Sequence, residues 1–161
     1  MGRLDNFYFM YMVFHVPITI FVDSSLVIPP QYQLEITKSL LATHLDANKD
    51  FLLVQLPLWL KVFGAFELAF QLPLFFYCAY AIWRQTSKSY YVWMTVYGFN
   101  AMLTTLVCMV YVWVEGEINN LTLAEVYQLE VVYSPYLVIP LIMMVDHAWR
   151  ITKLLGKVKV E

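Results

Sequence analysis

Four apolar stretches, residues 6–27, 58–83, 90–114 and 127–149, account for most of the chain. Each supplies the roughly 20 helical residues that a hydrocarbon core of about 30 Å requires. Inside such a core the backbone has no water to bond, so a spanning segment must satisfy its own N–H and C=O groups as a helix. The expected fold class is all-α: a polytopic membrane protein, a four-transmembrane-helix bundle. Composition agrees, with 61% of residues apolar and 14% charged, against roughly half and a quarter in a soluble domain. That hydrophobicity excludes intrinsic disorder. A net charge of −2 without a basic block excludes a nucleic-acid partner.

The connections constrain the topology. The link at 84–89 is short, which makes the second and third spans antiparallel neighbours. A second short loop, holding Glu115, Glu117 and Glu125, joins the third span to the fourth. Only the first loop, 28–57, is long. It contains a helix-like piece at 31–47 after Pro29 and Pro30, with Leu34, Leu41 and Leu45 on one face and Ile36 and Leu40 on another. That piece is expected to lie against the bundle. Cys78 and Cys108 both fall in apolar runs and read as small hydrophobic side chains. The first span is interrupted by His15, Pro17 and Asp23 and has no small-x-small cleavage site after it, so it reads as a retained anchor.

Lys and Arg set the orientation. Arg3, Arg84, Lys88, Arg150, Lys153, Lys157 and Lys159 collect on one side, and only Lys38, Lys49 and Lys61 on the other. Both termini are therefore expected in the cytosol. Trp59, Trp83, Trp93, Trp113 and Trp149 sit near span ends as interfacial anchors. Lys159 and Lys157, the third and fifth residues counted from the end, match a dilysine-type retrieval signal to the endoplasmic reticulum, an address that works only on a cytosolic tail. The chain divides into a membrane domain, 1–155, and this tail, 156–161. Asn120-Leu-Thr122 is a glycosylation sequon in the short luminal loop.

Polar groups within the spans are costly, which makes them functional candidates. They are arranged in stripes. His15, Thr19 and Asp23 recur at i, i+4, i+8 on the first helix, and Glu67 and Gln71 on the second. Tyr97, Asn100, Thr104 and Thr105 lie on the third, and Tyr133 and Tyr136 flank Pro135 on the fourth. Helical rise places the set in the luminal half of the bilayer. Pro17, Pro73, Pro135 and Pro140 each remove a backbone donor and bend their helix, which a membrane tolerates where other groups meet the freed carbonyls. Such kinks open an internal pocket in a bundle. If Asp23 and Glu67 face one another there, they share a proton and carry about one negative charge. Three scattered histidines and no Cys-x-x-Cys or His-Glu-x-x-His spacing give no support for a metal, and no cofactor is expected.

The stretches His15-Val-Pro-Ile-Thr-Ile-Phe-Val-Asp23, Lys49-Asp50 with Pro57 and Trp59, Phe66-Glu67-Leu-Ala-Phe-Gln71-Leu-Pro73 and Val132-Tyr133-Ser-Pro135-Tyr136-Leu-Val-Ile-Pro140 occur in order across all four spans. On these residues the sequence resembles the sigma-2 receptor family of EXPERA-domain membrane proteins. The resemblance implies a four-helix fold with an occluded pocket for sterols and lipophilic amines among membrane lipids. It also implies residence in the endoplasmic reticulum and self-association as a homodimer. Asp23 then corresponds to the carboxylate that pairs with a ligand amine, Glu67 to its protonated neighbour, and Asp50 to a loop carboxylate that caps or braces the pocket. Gln71, Thr104 and Tyr136 fall at pocket-lining positions, with Thr105 replacing Thr104 if the third helix slides by one residue.

The same superfamily contains a sterol double-bond isomerase, whose helix carries a His four residues before a Glu. Here Phe63 stands four residues before Glu67, so no enzyme is expected. The functional expectation is a sterol or lipophilic-ligand binding protein. Its alternative is a non-enzymatic handling factor for membrane or misrouted organelle precursor proteins as clients, and the third reading is the isomerase.

Overall fold

The computed structural model describes residues 2–85 and 87–158, the last two as backbone only. The Lys157 side chain and Lys159, on which the retrieval signal rests, lie outside the described residues. The chain forms α1 (Arg3–Phe21), α2 (Glu35–Asn48), α3 (Phe51–Gln55), α4 (Leu58–Phe66), α5 (Leu72–Arg84), α6 (Tyr90–Glu115) and α7 (Leu123–Val158). Short 3₁₀ turns follow α1 at Asp23–Leu26 and precede α2 at Pro30–Tyr32, and a π-helical turn at Glu67–Gln71 joins α4 to α5. Four runs, Arg3–Leu26, Leu58–Arg84, Tyr90–Glu115 and Leu123–Gly156, are long and apolar enough to cross a membrane. The chain is a multi-pass, all-α membrane protein. At 36 residues, or about 54 Å, α7 is longer than the bilayer core, so its ends project from it.

The first and last helices run antiparallel. Arg150 near the end of α7 lies 2.6 Å from Asp5 at the start of α1 and 2.8 Å from Asp146 on its own helix. We call this the terminal end of the bundle and the opposite one the loop end. Two apolar clusters fill the interior. Tyr8, Met12, Phe75, Met94, Tyr97 and Met143 pack toward the terminal end. Phe51, Leu52, Leu60, Val112, Val126 and Leu129 pack toward the loop end. Along α6 the first cluster ends at Ala101 and the second resumes at Cys108, and Thr104 and Thr105 fall between them.

Prolines sit in three spans, and two of their freed carbonyls find hydroxyl donors. Pro140 has no N–H for the Tyr136 carbonyl, and Thr105 Oγ1 donates to that oxygen at 3.3 Å. Pro135 likewise frees the Val131 carbonyl, which Ser134 Oγ reaches at 2.9 Å. Pro73 would leave Ala69 without its partner, and there the helix takes its π turn. A π turn of this kind absorbs one extra residue and turns the side chains before and after it.

Several local expectations change. The loop helix begins at Glu35, and Leu34 precedes it at 57% exposure instead of joining the packed face. That face is carried by Thr37, with Leu41, His44 and Leu45 half-buried. Trp59 packs against Phe63 and Tyr111 at ring separations of 5.5 and 5.3 Å and is half-buried against the loop-end cluster. The other four tryptophans are exposed, as anchors require. Glu125 belongs to the first turn of α7, not to the loop before it. Its carboxylate accepts from Thr122 N at 2.7 Å and from the Thr122 hydroxyl at 2.8 Å, which closes a capping box at the helix start.

Candidate functional site

Between the two apolar clusters lies a cavity of about 230 Å³. Asp23, Asp50, Glu67, Gln71, Thr104 and Tyr136 all line it. These six come from the turn after α1, the loop before α3, the π turn, α6 and α7, so residues far apart in sequence converge on one space.

Behind the polar wall sits Thr19, which is fully buried and does not itself line the cavity. Its Oγ1 is 3.0 Å from Asp23 Oδ2 and 3.1 Å from Glu67 Oε1. The stripe on α1 accounts for the first contact, since Thr19 and Asp23 are one turn apart. The π turn delivers the second by carrying Glu67 and Gln71 to the cavity side by side. Gln71 is 4% exposed and donates from Nε2 to Asn100 Oδ1 at 2.7 Å, a hydrogen bond that ties the second span to the third.

Asp50 is buried completely, and its carboxylate oxygens accept four hydrogen bonds. Its Oδ1 accepts from the backbone N–H of Leu52 and Leu53 at 3.1 and 3.4 Å, capping α3. Its Oδ2 accepts from Tyr133 at 2.8 Å and from His44 Nε2 at 3.0 Å. With Nε2–H donating, His44 Nδ1 is the acceptor for Asn48 Nδ2 at 3.3 Å, so one neutral tautomer satisfies both contacts. Asp50 thus braces α2, α3 and α7 around the cavity and leaves little acceptor capacity for a ligand.

Thr104 and Thr105 both line the cavity, but with different commitments. The Thr104 hydroxyl donates back to the carbonyls of Asn100 and Ala101, each at 3.1 Å, and Thr105 donates to α7. Tyr136, 39% exposed, places its ring 5.8 Å from that of His15. His15 is itself held by a 3.1 Å contact between Nδ1 and the Tyr11 carbonyl. His44 is the participant that sequence reasoning missed. Its signal was the 37, 41, 44, 48 spacing, which marks the packed face of α2. Among the described residues no cluster of His, Cys, Asp and Glu is arranged to hold a metal ion.

The sequence profile of EXPERA (EXPanded EBP superfamily) matches residues 36–147, which span α2 to α7. The chain belongs to the EXPERA family. Asp50, Glu67, Gln71, Thr104 and Tyr136 lie within the matched range, and Asp23 lies before it. Among relatives of this EXPERA protein, it is 40% identical over 151 residues to "Efficient mitochondria targeting-associated protein 19" of Saccharomyces cerevisiae, covering 86% of this chain and 94% of that one. It is 33% identical over 146 residues to human "Sigma intracellular receptor 2", covering 84% of this chain and 82% of that one. The Xenopus tropicalis protein of the same name is 31% identical over 147 residues, with 88% and 85% covered.

Proposed function

We propose that this protein binds lipophilic molecules bearing a single amine or hydroxyl, such as lipophilic amines and sterols, in the intramembrane cavity, as an endoplasmic reticulum membrane protein of lipid or sterol homeostasis. One observation carries the reading: Asp23 and Glu67, both on the wall of a cavity whose other sides are largely aromatic and aliphatic, meet at the hydroxyl of Thr19 buried behind them. A hydroxyl has one hydrogen to give, and a proton kept on one carboxyl would supply the hydrogen of the second contact. The pair then holds one negative charge, matched to one ammonium group, while Asp50 keeps the frame. At about 230 Å³ the cavity falls just under the roughly 300–1,000 Å³ of ligand pockets. It suits a slender amine as it stands, and a whole sterol requires the helices to part further.

The test is binding of a radiolabelled lipophilic amine to Asp23→Asn protein that remains folded. Loss of binding is expected, and unchanged binding overturns the assignment of Asp23. The charge distribution supports cytosolic termini, which tags accessible without permeabilising the reticulum would verify.

The relative named for mitochondria targeting favours a second reading, in which the same protein retains or passes on membrane or organelle precursor proteins without catalysing a reaction. Crosslinks from the cavity to newly made proteins would support it, and adducts with lipid alone would count against it. Catalysis is not part of the proposal. Phe63 occupies the position where an isomerase would carry its helix-borne His, and it lines the cavity as an apolar wall. Purified protein is expected to leave the double bond of a sterol substrate in place.

A further inference from the structure

The helix α2 is tied down at both ends to the loop end of the bundle. Just before it, Gln33 Nε2 donates to the carbonyls of Ser25 and Ile28 at the end of the first span, at 3.4 and 2.7 Å. At its other end, Gln128 Nε2 on α7 donates to the Ala47 carbonyl at 2.9 Å, and Lys49 pairs with Glu125. Those anchor points lie at the same end of two antiparallel helices. The 14 residues of α2, about 21 Å of helix, therefore lie across the mouth of the bundle as a crossbar instead of standing out from it.

The surface of this crossbar divides into three strips. Thr37, Leu41, His44 and Asn48 recur at i, i+4, i+7, i+11 and face the bundle, with Thr37 at 2% exposure. Lys38, Ala42 and Asp46 make a polar strip on one side. On the other side, Ile36, Leu40, Thr43 and Ala47 form a largely apolar strip that none of the described residues covers, with Ile36 at 52% and Leu40 at 43% exposure. A helix surrounded by water needs two strips, one packed and one polar. The third strip, set beside the packed one, is the pattern of a helix lying in an interface between apolar and aqueous phases. The adjoining chain continues it, since Val27 and Ile28 at the end of the first span are exposed at 41% and 36%.

We propose that the Ile36–Leu40 strip of α2 is a lipid-contacting surface, seated in the bilayer interface with the Lys38–Asp46 strip turned to water. The occupant is bilayer lipid because the crossbar's anchors hold it at the level where the spans leave the membrane, and because its apolar strip adjoins the exposed apolar end of the first span. This assignment is independent of what the cavity binds. It carries a consequence for the cavity all the same. His44, on the packed strip, lines the cavity and bonds Asp50, so the helix resting on the leaflet is also the one that holds the cavity's frame.

The test places nitroxide labels on the full chain in phosphatidylcholine nanodiscs at Ile36→Cys and Leu40→Cys, with Lys38→Cys and Asp46→Cys as the comparison. Cys78 and Cys108 are buried and free, and the signal of the labelled parent chain is subtracted. Labels at 36 and 40 are expected to collide several-fold more often with oxygen than with a water-soluble nickel complex, and labels at 38 and 46 the reverse. Equal nickel access at all four positions would overturn the proposal by placing the strip in water. Exclusion of both reagents at 36 and 40, with dipolar broadening, would overturn it by showing a second copy on the strip, and the same exclusion without broadening would overturn it by showing the strip packed against its own chain.

Discussion

The Tyr133 hydroxyl donates a 2.8 Å hydrogen bond to Asp50 Oδ2, joining α7 to the cap of α3 across 83 residues of sequence. Because Asp50 is also the acceptor for two backbone N–H groups and for His44, its removal strands several buried donors at once. Tyr133→Phe is expected to cost about 1 kcal/mol of stability, the net worth of one hydrogen bond. Asp50→Ala should cost several times more, since an unpaired buried donor costs about 1–3 kcal/mol. Thermal unfolding in detergent, followed by tryptophan fluorescence, measures both. If ligand binding by Asp50→Ala is restored at low temperature, the residue acts through the frame. A direct ligand contact would leave binding lost in the folded variant.

Asp23 and Glu67 share Thr19, yet their amide variants should differ. On the proposed reading, in which Glu67 is the neutral partner and Asp23 carries the charge, glutamine supplies N–H donors at the same reach, so Glu67→Gln is expected to bind a lipophilic amine within a few-fold of the parent. Asp23→Asn removes the charge that faces the ammonium and should lower affinity more than tenfold, at least about 1.4 kcal/mol. Competition binding on both variants decides it. Equal losses would show that the charge is not held at Asp23.

The apolar runs gave the four spans because span length is a property of one segment and the bilayer. The stripes at 15, 19, 23 and at 67, 71 were legible because helical periodicity is local. Two features were not. The π turn at Glu67–Gln71 depends on how Pro73 and the packing of two neighbouring spans settle one missing hydrogen bond, which sequence spacing does not encode. The His44–Asp50–Tyr133 arrangement needs α2 to fold back on α7, a long-range event with no signature in either segment alone. Trp59 shows the same limit from the other side, since its place near a span end suits an anchor, but Tyr111 and Phe63 draw it inward.

Gly98 marks a close approach of α6 and α7. A Cβ there would lie 2.5 Å from the Pro140 carbonyl oxygen and 2.8 Å from Met144 N, both backbone atoms that cannot rotate away. Gly98→Ala must push the two helices apart, at a cost of about 1–3 kcal/mol for overpacking. At Gly156 none of the described residues lies within 4 Å, so Gly156→Ala should be neutral or stabilising by up to about 1 kcal/mol from helix propensity. Melting temperatures of the two variants should therefore move in opposite directions or differ in size by several degrees.

Thr105 and Pro140 form a compensating pair across the same helix interface. Pro140 deprives the Tyr136 carbonyl of its helical partner, and Thr105 Oγ1 takes that partner's place at 3.3 Å. Thr105→Val leaves the carbonyl unmet in an environment without water, and should destabilise by about 1–2 kcal/mol. Pro140→Ala restores the backbone N–H, after which the hydroxyl has no unmet acceptor to serve. In the Pro140→Ala background, Thr105→Val should cost little, giving a coupling energy of at least about 0.5 kcal/mol in a double-mutant cycle. Additive effects would mean that Thr105 stabilises the interface through its methyl group and not through the freed carbonyl.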